Sequence, residues 1–179
     1  MRRNFSELLK KRNLLSVRRS GIDENRVQGF LLGYSRNLVL IHYVYDFRLD
    51  GLMIFNRNDI TSISSDKTDL FQTEILKNAD SFGVVDFNIE CDLSNWQSAL
   101  SSLCNLKRFL VVEDEKSDYP LFYIGEVIKI DKDHIDIMEF SGAGNWDKDA
   151  STVYFEDISC VQIGNNYANV YEDYFAGTP

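Results

Sequence analysis

Two aspartates four residues apart, Asp46 and Asp50, come nearest in this sequence to a catalytic or metal-binding arrangement. They lie in a segment, residues 45–51, that we expect to be a loop and that ends in an Asp-Gly dipeptide. Paired carboxylates serve general acid–base catalysis or bind a divalent cation. An Asp-Gly pair is also typical of a solvated turn in which Asp50 supports Gly51. We favour the turn, and metal-assisted catalysis at Asp46 and Asp50 is the alternative.

The other side chains with reactive chemistry are scattered along the chain. His42 and His134 have no cysteine or second histidine at a spacing that suits metal ligation. Cys91, Cys104 and Cys160 are far apart in apolar surroundings, which favours reduced, buried thiols over disulfides or a zinc site. The sequence has no glycine-rich phosphate loop, nucleophile elbow or HExxH motif. We therefore expect a protein without enzymatic activity, metal or cofactor.

Aromatic residues accompany acidic residues in the expected loops and in the C-terminal tail. A small β-domain needs large side chains to fill its interior, which is the alternative explanation for any one of these aromatics. Tyrosine and tryptophan are also frequent anchors of protein interfaces. Together the aromatic and acidic residues predict a protein-binding face. Its candidate residues are Asp46, Phe47, Asp50, Trp146, Tyr167, Tyr171 and Tyr174.

The charge of the chain is unevenly distributed. The formal net charge is −9, yet residues 1–20 hold seven basic side chains and one acidic side chain. The other 159 residues hold 12 basic and 27 acidic side chains, a balance of −15. Such an acidic body repels phosphate backbones and suits a basic protein partner. RNA binding would depend on the N-terminal segment, whose candidate contacts are Arg2, Arg3, Lys10, Lys11 and Arg12.

The elements that must position these residues follow from an internal repeat. Stretches that begin at Gly29 and at Gly125 share a pattern of apolar residues over sixteen positions. Each continues through a loop to an Asp-Ile pair, 30 and 32 residues after the glycine. Such repetition indicates two copies of one structural unit. We predict two domains, residues 1–80 and residues 81–179.

Each copy is expected to contain a short helix followed by five strands. Asn4 and Glu7 form a capping-box pattern at the start of the first helix, and Ser94 is the expected N-cap of the second. The connecting segment, residues 81–92, has the apolar content of a strand. Short strands separated by polar turns predict small closed barrels, which leave no free sheet edge. The predicted fold is mainly β with short helices: two tandem small antiparallel β-barrels, each preceded by a short α-helix.

A glycine that opens a bent strand, followed by an aspartate at the next turn, occurs here as Gly125 and Asp131. With the order of one helix and five strands, this motif resembles the Sm-like fold, one of the SH3-like small barrels. The resemblance implies an RNA pocket with an asparagine four residues after the aspartate, where this chain has Ile135 and, in the first copy, Val39. The Arg-Gly pair of that pocket is missing too. The chain also resembles an uncharacterised bacterial two-domain family with a similar Asp-Phe-x-Leu-Asp-Gly loop.

These observations favour a non-enzymatic protein that binds another protein through an acidic, aromatic-bearing surface, in an adaptor or immunity-type role. A divergent Sm-like RNA-binding protein that uses the basic N-terminal segment is the alternative. No stretch reaches the roughly 18 apolar residues of a membrane span, and the N-terminus lacks a signal-peptide core. We therefore expect a cytoplasmic protein without membrane contact. Because the two copies can satisfy each other's sheet edges, we expect a monomer or a dimer.

Overall fold

The computed structural model of the protein describes residues 4–177, except the side chains of residues 80 and 81. It is mainly β with short α-helices, as predicted. In the first half of the chain, one helix precedes five strands and a second helix follows them. These elements are α1 (Phe5–Lys11), β1 (Leu14–Arg19), β2 (Asp23–Tyr34), β3 (Leu38–Tyr45), β4 (Arg48–Asn56), β5 (Ser62–Ser64) and α2 (Lys67–Lys77).

The second half repeats this order of elements. One helix again precedes five strands, and a helix again follows them. None of the helices within residues 4–177 is long and apolar enough to cross a membrane. The elements of this half are α3 (Trp96–Leu103), β6 (Phe109–Asp114), β7 (Leu121–Ile130), β8 (His134–Glu139), β9 (Ser151–Tyr154), β10 (Cys160–Ile163) and α4 (Asn166–Gly177).

In each half, an asparagine caps the N-terminus of the first helix. The side chain of Asn4 accepts a hydrogen bond from the backbone N–H of Glu7 and donates one to its carboxylate, both at 3.2 Å. Asn4 is therefore the N-cap that the sequence predicts, but the bond back to Glu7 comes from the Asn4 side chain and not from its backbone N–H, as a capping box requires. In the second half the prediction was wrong by one residue. Asn95, rather than Ser94, caps α3 by accepting a hydrogen bond of 2.9 Å from the N–H of Ser98.

The connecting segment, residues 81–92, is not the strand that we predicted. A 3₁₀ turn at Asp80–Val84 is followed by irregular backbone. Its aromatic side chains pack edge-on against the core, since the rings of Phe82 and Phe87 lie 5.4 and 6.1 Å from that of Phe30. The apolar pattern of this segment therefore reflects burial against the sheet and not strand pairing.

The ten strands of residues 4–177 belong to one antiparallel sheet with the order β5-β1-β2-β3-β4-β10-β6-β7-β8-β9. Each half contributes five neighbouring strands in the same internal order. The halves are joined where β4 pairs with β10, from Leu52 opposite Ile163 to Phe55 opposite Cys160. Because β10 is hydrogen-bonded to β6 on its other side, the ladder runs through both halves. The pairing forms one open sheet, and it does not show the two separate closed barrels that we predicted.

The repeat reappears as matching irregularities in the two halves. The β2–β3 pairing shifts register between Leu31 and Gly33. The β7–β8 pairing shifts register between Val127 and Lys129, which lie 96 residues later in the sequence. A Cβ atom added to Gly29 would overlap the carbonyl oxygen of His42, and one added to Gly125 would overlap that of Met138. Only glycine fits where neighbouring backbone comes this close. Both copies therefore begin with glycine for the same steric reason.

The buried apolar side chains of the described residues form three clusters. Two smaller clusters centre on one half each, around Phe5 and around Phe109. The largest contains residues from both halves, among them Ile54 of β4, Leu110 of β6 and Ile137 of β8. The predicted domains, residues 1–80 and residues 81–179, therefore share a core across the β4–β10 pairing.

Candidate functional site

The segment that we expected to be a loop, residues 45–51, is mostly strand around a tight hairpin turn. Tyr45 pairs with Arg48, and the two residues between them, Asp46 and Phe47, have φ angles of 46° and 62°. Two positive φ angles in a two-residue turn are typical of type I′, whose twist matches that of the sheet. Asp46 and Phe47 are exposed at the tip of this hairpin, whereas Asp50 lies within β4.

Asp50 connects the two halves of the chain. Its Oδ1 accepts a hydrogen bond of 2.6 Å from the backbone N–H of Asn166, the first residue of α4. The unpaired N–H groups and the dipole of a helix N-terminus favour a carboxylate at this place. Next to it, Gly51 has a φ of 77°, and a Cβ here would overlap the backbone of Ile163 and Gly164. Asp50 therefore binds the start of α4, and Gly51 leaves room for the backbone just before α4 to lie close to β4.

Beside Asp50, a surface pocket of about 380 Å³ lies where the two halves meet. The first half contributes residues from β3 and β4, and the second contributes residues from β7, β10, α4 and the turn before α4. Neither half contains the pocket alone. We call it the junction pocket, and its lining residues are Tyr43, Tyr45, Asp50, Phe122, Gln162, Asn165 and Tyr167.

Four aromatic rings stand around the junction pocket as two pairs. The rings of Tyr43 and Tyr45 lie 6.4 Å apart with an interplanar angle of 42°. Those of Phe122 and Tyr167 lie 6.0 Å apart in an edge-to-face arrangement. Tyr45 is 64% exposed, and Phe122 and Tyr167 are about half exposed. A group of large apolar rings left open to solvent around a cavity is typical of an interaction site.

A chain of amide hydrogen bonds holds the polar side of the pocket. Asn165 is buried, and its Oδ1 accepts a hydrogen bond of 3.0 Å from the N–H of Ala168 in the first turn of α4. Its Nδ2 donates to Gln162 Oε1 at 2.9 Å, and Gln162 Nε2 donates to Glu113 Oε2 at 3.2 Å. These bonds position the start of α4 and with it the ring of Tyr167.

The electrostatic environment of the pocket is negative. Burial and then the carboxylate of Asp50 raise the pKa of Tyr43 above its ordinary value. A hydrogen bond with Tyr171, followed by burial, raises the pKa of Tyr167. Both hydroxyls therefore stay protonated and neutral at physiological pH, and Asp50 supplies the charge. Among the residues that the structure describes, no basic side chain lines the pocket.

Comparisons with protein-family models, curated proteins and solved structures give no match. The function is therefore inferred from the geometry of the junction pocket.

Of the residues that line the junction pocket, the sequence alone singled out Asp50 and Tyr167 for the binding face. Tyr43 and Tyr45 belong to the same aromatic and acidic pattern of the sequence, although they are not among its selected candidates, and their spacing of two in β3 places them on one face of the sheet. Phe122 carries no comparable signal, because its place in the pocket depends on how the two halves meet.

The remaining candidates of the binding face pack along α4. The ring of Trp146 lies 5.4 Å from that of Phe140 and 5.0 Å from that of Phe175. The ring of Tyr171 lies 4.8 Å from Phe140, and that of Tyr174 lies 5.4 Å from Phe175. This aromatic cluster holds α4 against the second half. Packing, the alternative explanation from the sequence, accounts for these contacts.

The basic N-terminal candidates are only partly described. Arg2 and Arg3 lie outside the described residues. Lys11 forms an ion pair of 2.6 Å with Glu7 on α1. This pair is exposed to solvent, where such pairs add little to stability.

A second cavity, of about 530 Å³, lies beside the C-terminal end of α1. Its lining includes Leu9, Lys10, Arg12 and Phe87. The guanidinium of Arg12 lies 4.7 Å from the centre of the Phe87 ring, within the range of a cation–π interaction. Two cations and an aromatic ring therefore surround this cavity.

The histidines and cysteines were the remaining side chains with reactive chemistry. Within residues 4–177, no group of three or more His, Cys, Asp or Glu side chains is placed to hold a metal ion. Burial lowers the pKa of His42, which keeps the imidazole neutral in the sheet. Burial raises the pKa of Cys160 well above its ordinary value and that of Cys91 to about 11. These thiols are therefore protonated at neutral pH and poor nucleophiles.

Proposed function

We propose that this protein is a non-enzymatic binding module that recognises another protein through the junction pocket and the adjacent hairpin tip, in an adaptor or immunity-type role. One observation carries the proposal: three exposed aromatic rings and the partly buried ring of Tyr43 line, together with a carboxylate, a pocket built from both halves. Aromatic side chains around a pocket are the usual anchors of protein interfaces. The net charge of −9 favours a basic partner through electrostatic steering.

The fold that accompanies this proposal is a pair of Sm-like units, each bent as in the SH3-like small barrels. The identical strand order of the two halves supports it, and so do the equivalent glycines Gly29 and Gly125. In such a pair the β4–β10 pairing occupies one sheet edge of each unit. A monomer or dimer in the cytoplasm remains the state that we propose.

Affinity capture from a lysate of the native host tests the proposal. The immobilised full chain is compared with Tyr45→Ala and Phe122→Ala, which remove exposed pocket rings. Phe71→Ala is the matched control, because Phe71 lies on α2, does not line the pocket and is 64% exposed, like Tyr45. We expect one partner that the wild type and Phe71→Ala retain, that both pocket variants lose, and that high salt weakens. If the pocket variants and high salt leave the amount of captured partner unchanged, the proposal is refuted.

A second candidate function is RNA binding by the N-terminal segment, and the cavity beside Lys10 and Arg12 favours it. Cations that contact phosphate and an aromatic ring that stacks on a base are the usual components of single-strand binding sites. An electrophoretic shift titration with single-stranded RNA tests it. Binding that falls steeply with salt and weakens in the Lys10→Gln, Arg12→Gln double variant supports this candidate. A flat titration excludes it.

A further inference from the structure

We infer that the junction pocket binds the guanidinium group of an arginine side chain. The inference rests on the proposed function, because it names the chemical group that a protein partner inserts. The volume of the pocket is the first reason. About 380 Å³ is near the lower end of the roughly 300–1,000 Å³ that ligand pockets span. A pocket of this size suits one long side chain better than a nucleotide or a large cofactor.

The walls of the pocket suit a flat cation. The exposed rings of Tyr45, Phe122 and Tyr167 present π-systems, whose faces attract positive charge. A guanidinium is planar and weakly hydrated, so it stacks on aromatic rings more readily than the compact ammonium of lysine. The same chain already uses this contact internally. The guanidinium of Arg57 lies 4.5 Å from the centre of the Phe5 ring.

The charge of the pocket is placed to pair with such a group. Asp50 uses Oδ1 to accept the N–H of Asn166, and among the described residues its Oδ2 has no hydrogen bond. That oxygen is therefore free to accept an N–H of an incoming guanidinium. Asp50 is only partly exposed and sits beside the rings, where reduced contact with water strengthens an ionic hydrogen bond. Within residues 4–177, no basic residue lines the pocket and competes for the carboxylate.

A pair of matched small probes tests the inference on the intact chain. Nα-acetyl-arginine amide and Nα-acetyl-citrulline amide have nearly the same shape, but only the first is charged. Each is titrated at low salt into ¹⁵N-labelled protein while the backbone amide signals of Tyr45, Asn166 and Tyr167 are followed. We expect the arginine probe to bind in the millimolar range, at least about fivefold more tightly than the citrulline probe or Nα-acetyl-lysine amide, a third probe that carries an ammonium group. Equal binding of arginine and citrulline, or no binding of arginine, would overturn the inference.

Two variants connect the expected selectivity to named side chains. Asp50→Asn keeps a carbonyl oxygen for the N–H of Asn166 and removes the charge, and Tyr45→Ala removes an exposed ring without touching that bond. We expect each to lower the affinity for the arginine probe about fivefold or more. The controls Asp149→Asn and Phe71→Ala alter an exposed carboxylate and an exposed ring outside the pocket, and we expect them to bind like the wild type. Unchanged affinity in Tyr45→Ala and Asp50→Asn would refute the inference.

The outcomes separate this inference from the proposed function. If a partner is captured through Tyr45 and Phe122 but the arginine probe does not bind, the guanidinium inference fails and the protein-binding proposal stands. If the probe binds with the expected selectivity but no partner is captured, the chemistry of the pocket stands and the protein-binding proposal fails.

Discussion

At the scale of single residues, an extended polar network lies behind the junction pocket. Arg19 is only 3% exposed, and its two terminal nitrogens donate to the carboxylate of Glu115 at 2.6 and 2.8 Å. The hydroxyl of Ser159 donates to the same carboxylate at 2.7 Å. Glu113, two residues before Glu115 and within β6, accepts a hydrogen bond from the side-chain amide of Gln162 in the pocket. The network links β1 of the first half to β6 and β10 of the second.

Glu113 gives this network a pH dependence that can be measured. Burial raises its pKa above the ordinary 4.5, so the native state holds the proton more tightly than the unfolded state. Its contribution to stability is present at low pH and is lost as the pH rises through the raised pKa. Glu113→Gln removes the ionisation and keeps an oxygen that can accept the amide of Gln162. We expect the unfolding free energy of this variant, relative to wild type, to increase between about pH 4 and about pH 7.

Chemical denaturation of both proteins across that pH range measures the difference. If the unfolding free energy of the variant relative to wild type stays constant or decreases as the pH rises, burial of Glu113 does not oppose its ionisation.

At the scale of elements, α4 links the pocket to the core of the second half. Asp50 and Asn165 fix its first turn, and Tyr167 extends from that turn into the pocket. Further along the helix, Tyr171 and Phe175 pack on Phe140. A change that displaces the start of α4 should therefore alter the pocket before it alters the sheet.

Gly51 offers a direct test of this coupling, with Gly21 as its control. Both have a positive φ, 77° and 97°, but a Cβ at Gly21 would meet nothing within 4 Å. We expect Gly21→Ala to lower the unfolding free energy by about 1 kcal/mol from backbone strain alone. Gly51→Ala should cost about 1–3 kcal/mol more, because its Cβ overlaps the backbone before α4. Thermal and chemical denaturation give these values.

The same pair of variants reports on the pocket. We expect Gly51→Ala to weaken binding of the arginine probe and Gly21→Ala to leave it unchanged. Equal stability losses in both variants would show that α4 adjusts to the added methyl group, contrary to the close approach described above.

The elements also show why part of the site escaped prediction. We expected a loop at residues 45–51, because the Asp-Gly pair at its end is a strong turn signal. The actual turn uses Asp46 and Phe47, and phenylalanine rarely adopts a positive φ. The Asp-Gly pair instead lies in β4, where contact with α4 decides its conformation. Local preference was overridden by a partner more than 100 residues away.

At the scale of the whole molecule, the two halves share a sheet and a core. Asn56 of β4 donates a hydrogen bond of 3.0 Å to the carbonyl of Ile158, in addition to the β4–β10 ladder. The largest apolar cluster draws on both halves, which favours a single cooperative unfolding transition over two independent ones.

Tryptophan fluorescence can test this cooperativity, because both tryptophans, Trp96 and Trp146, lie in the second half. Ile54→Ala removes a fully buried side chain from the first half, and we expect it to lower the unfolding free energy by about 2–5 kcal/mol. In a cooperative molecule the fluorescence transition shifts by as much as the far-ultraviolet circular dichroism transition.

Ile75→Ala, which changes an exposed isoleucine of α2, is the matched control and should shift neither transition by more than about 0.5 kcal/mol. An Ile54→Ala variant with an unchanged fluorescence transition would mean that the halves unfold independently.

The sequence alone determined the mainly β class, the order of one helix and five strands in each half, the Asn4 cap and the equivalence of Gly29 and Gly125. These features depend on periodicity, capping and steric rules that act over a few residues or recur with the repeat. The tertiary structure decided the β4–β10 pairing, the anchoring of α4 by Asp50 and the assembly of the junction pocket. Each of these joins residues about 100 positions apart, and no local pattern encodes such a contact.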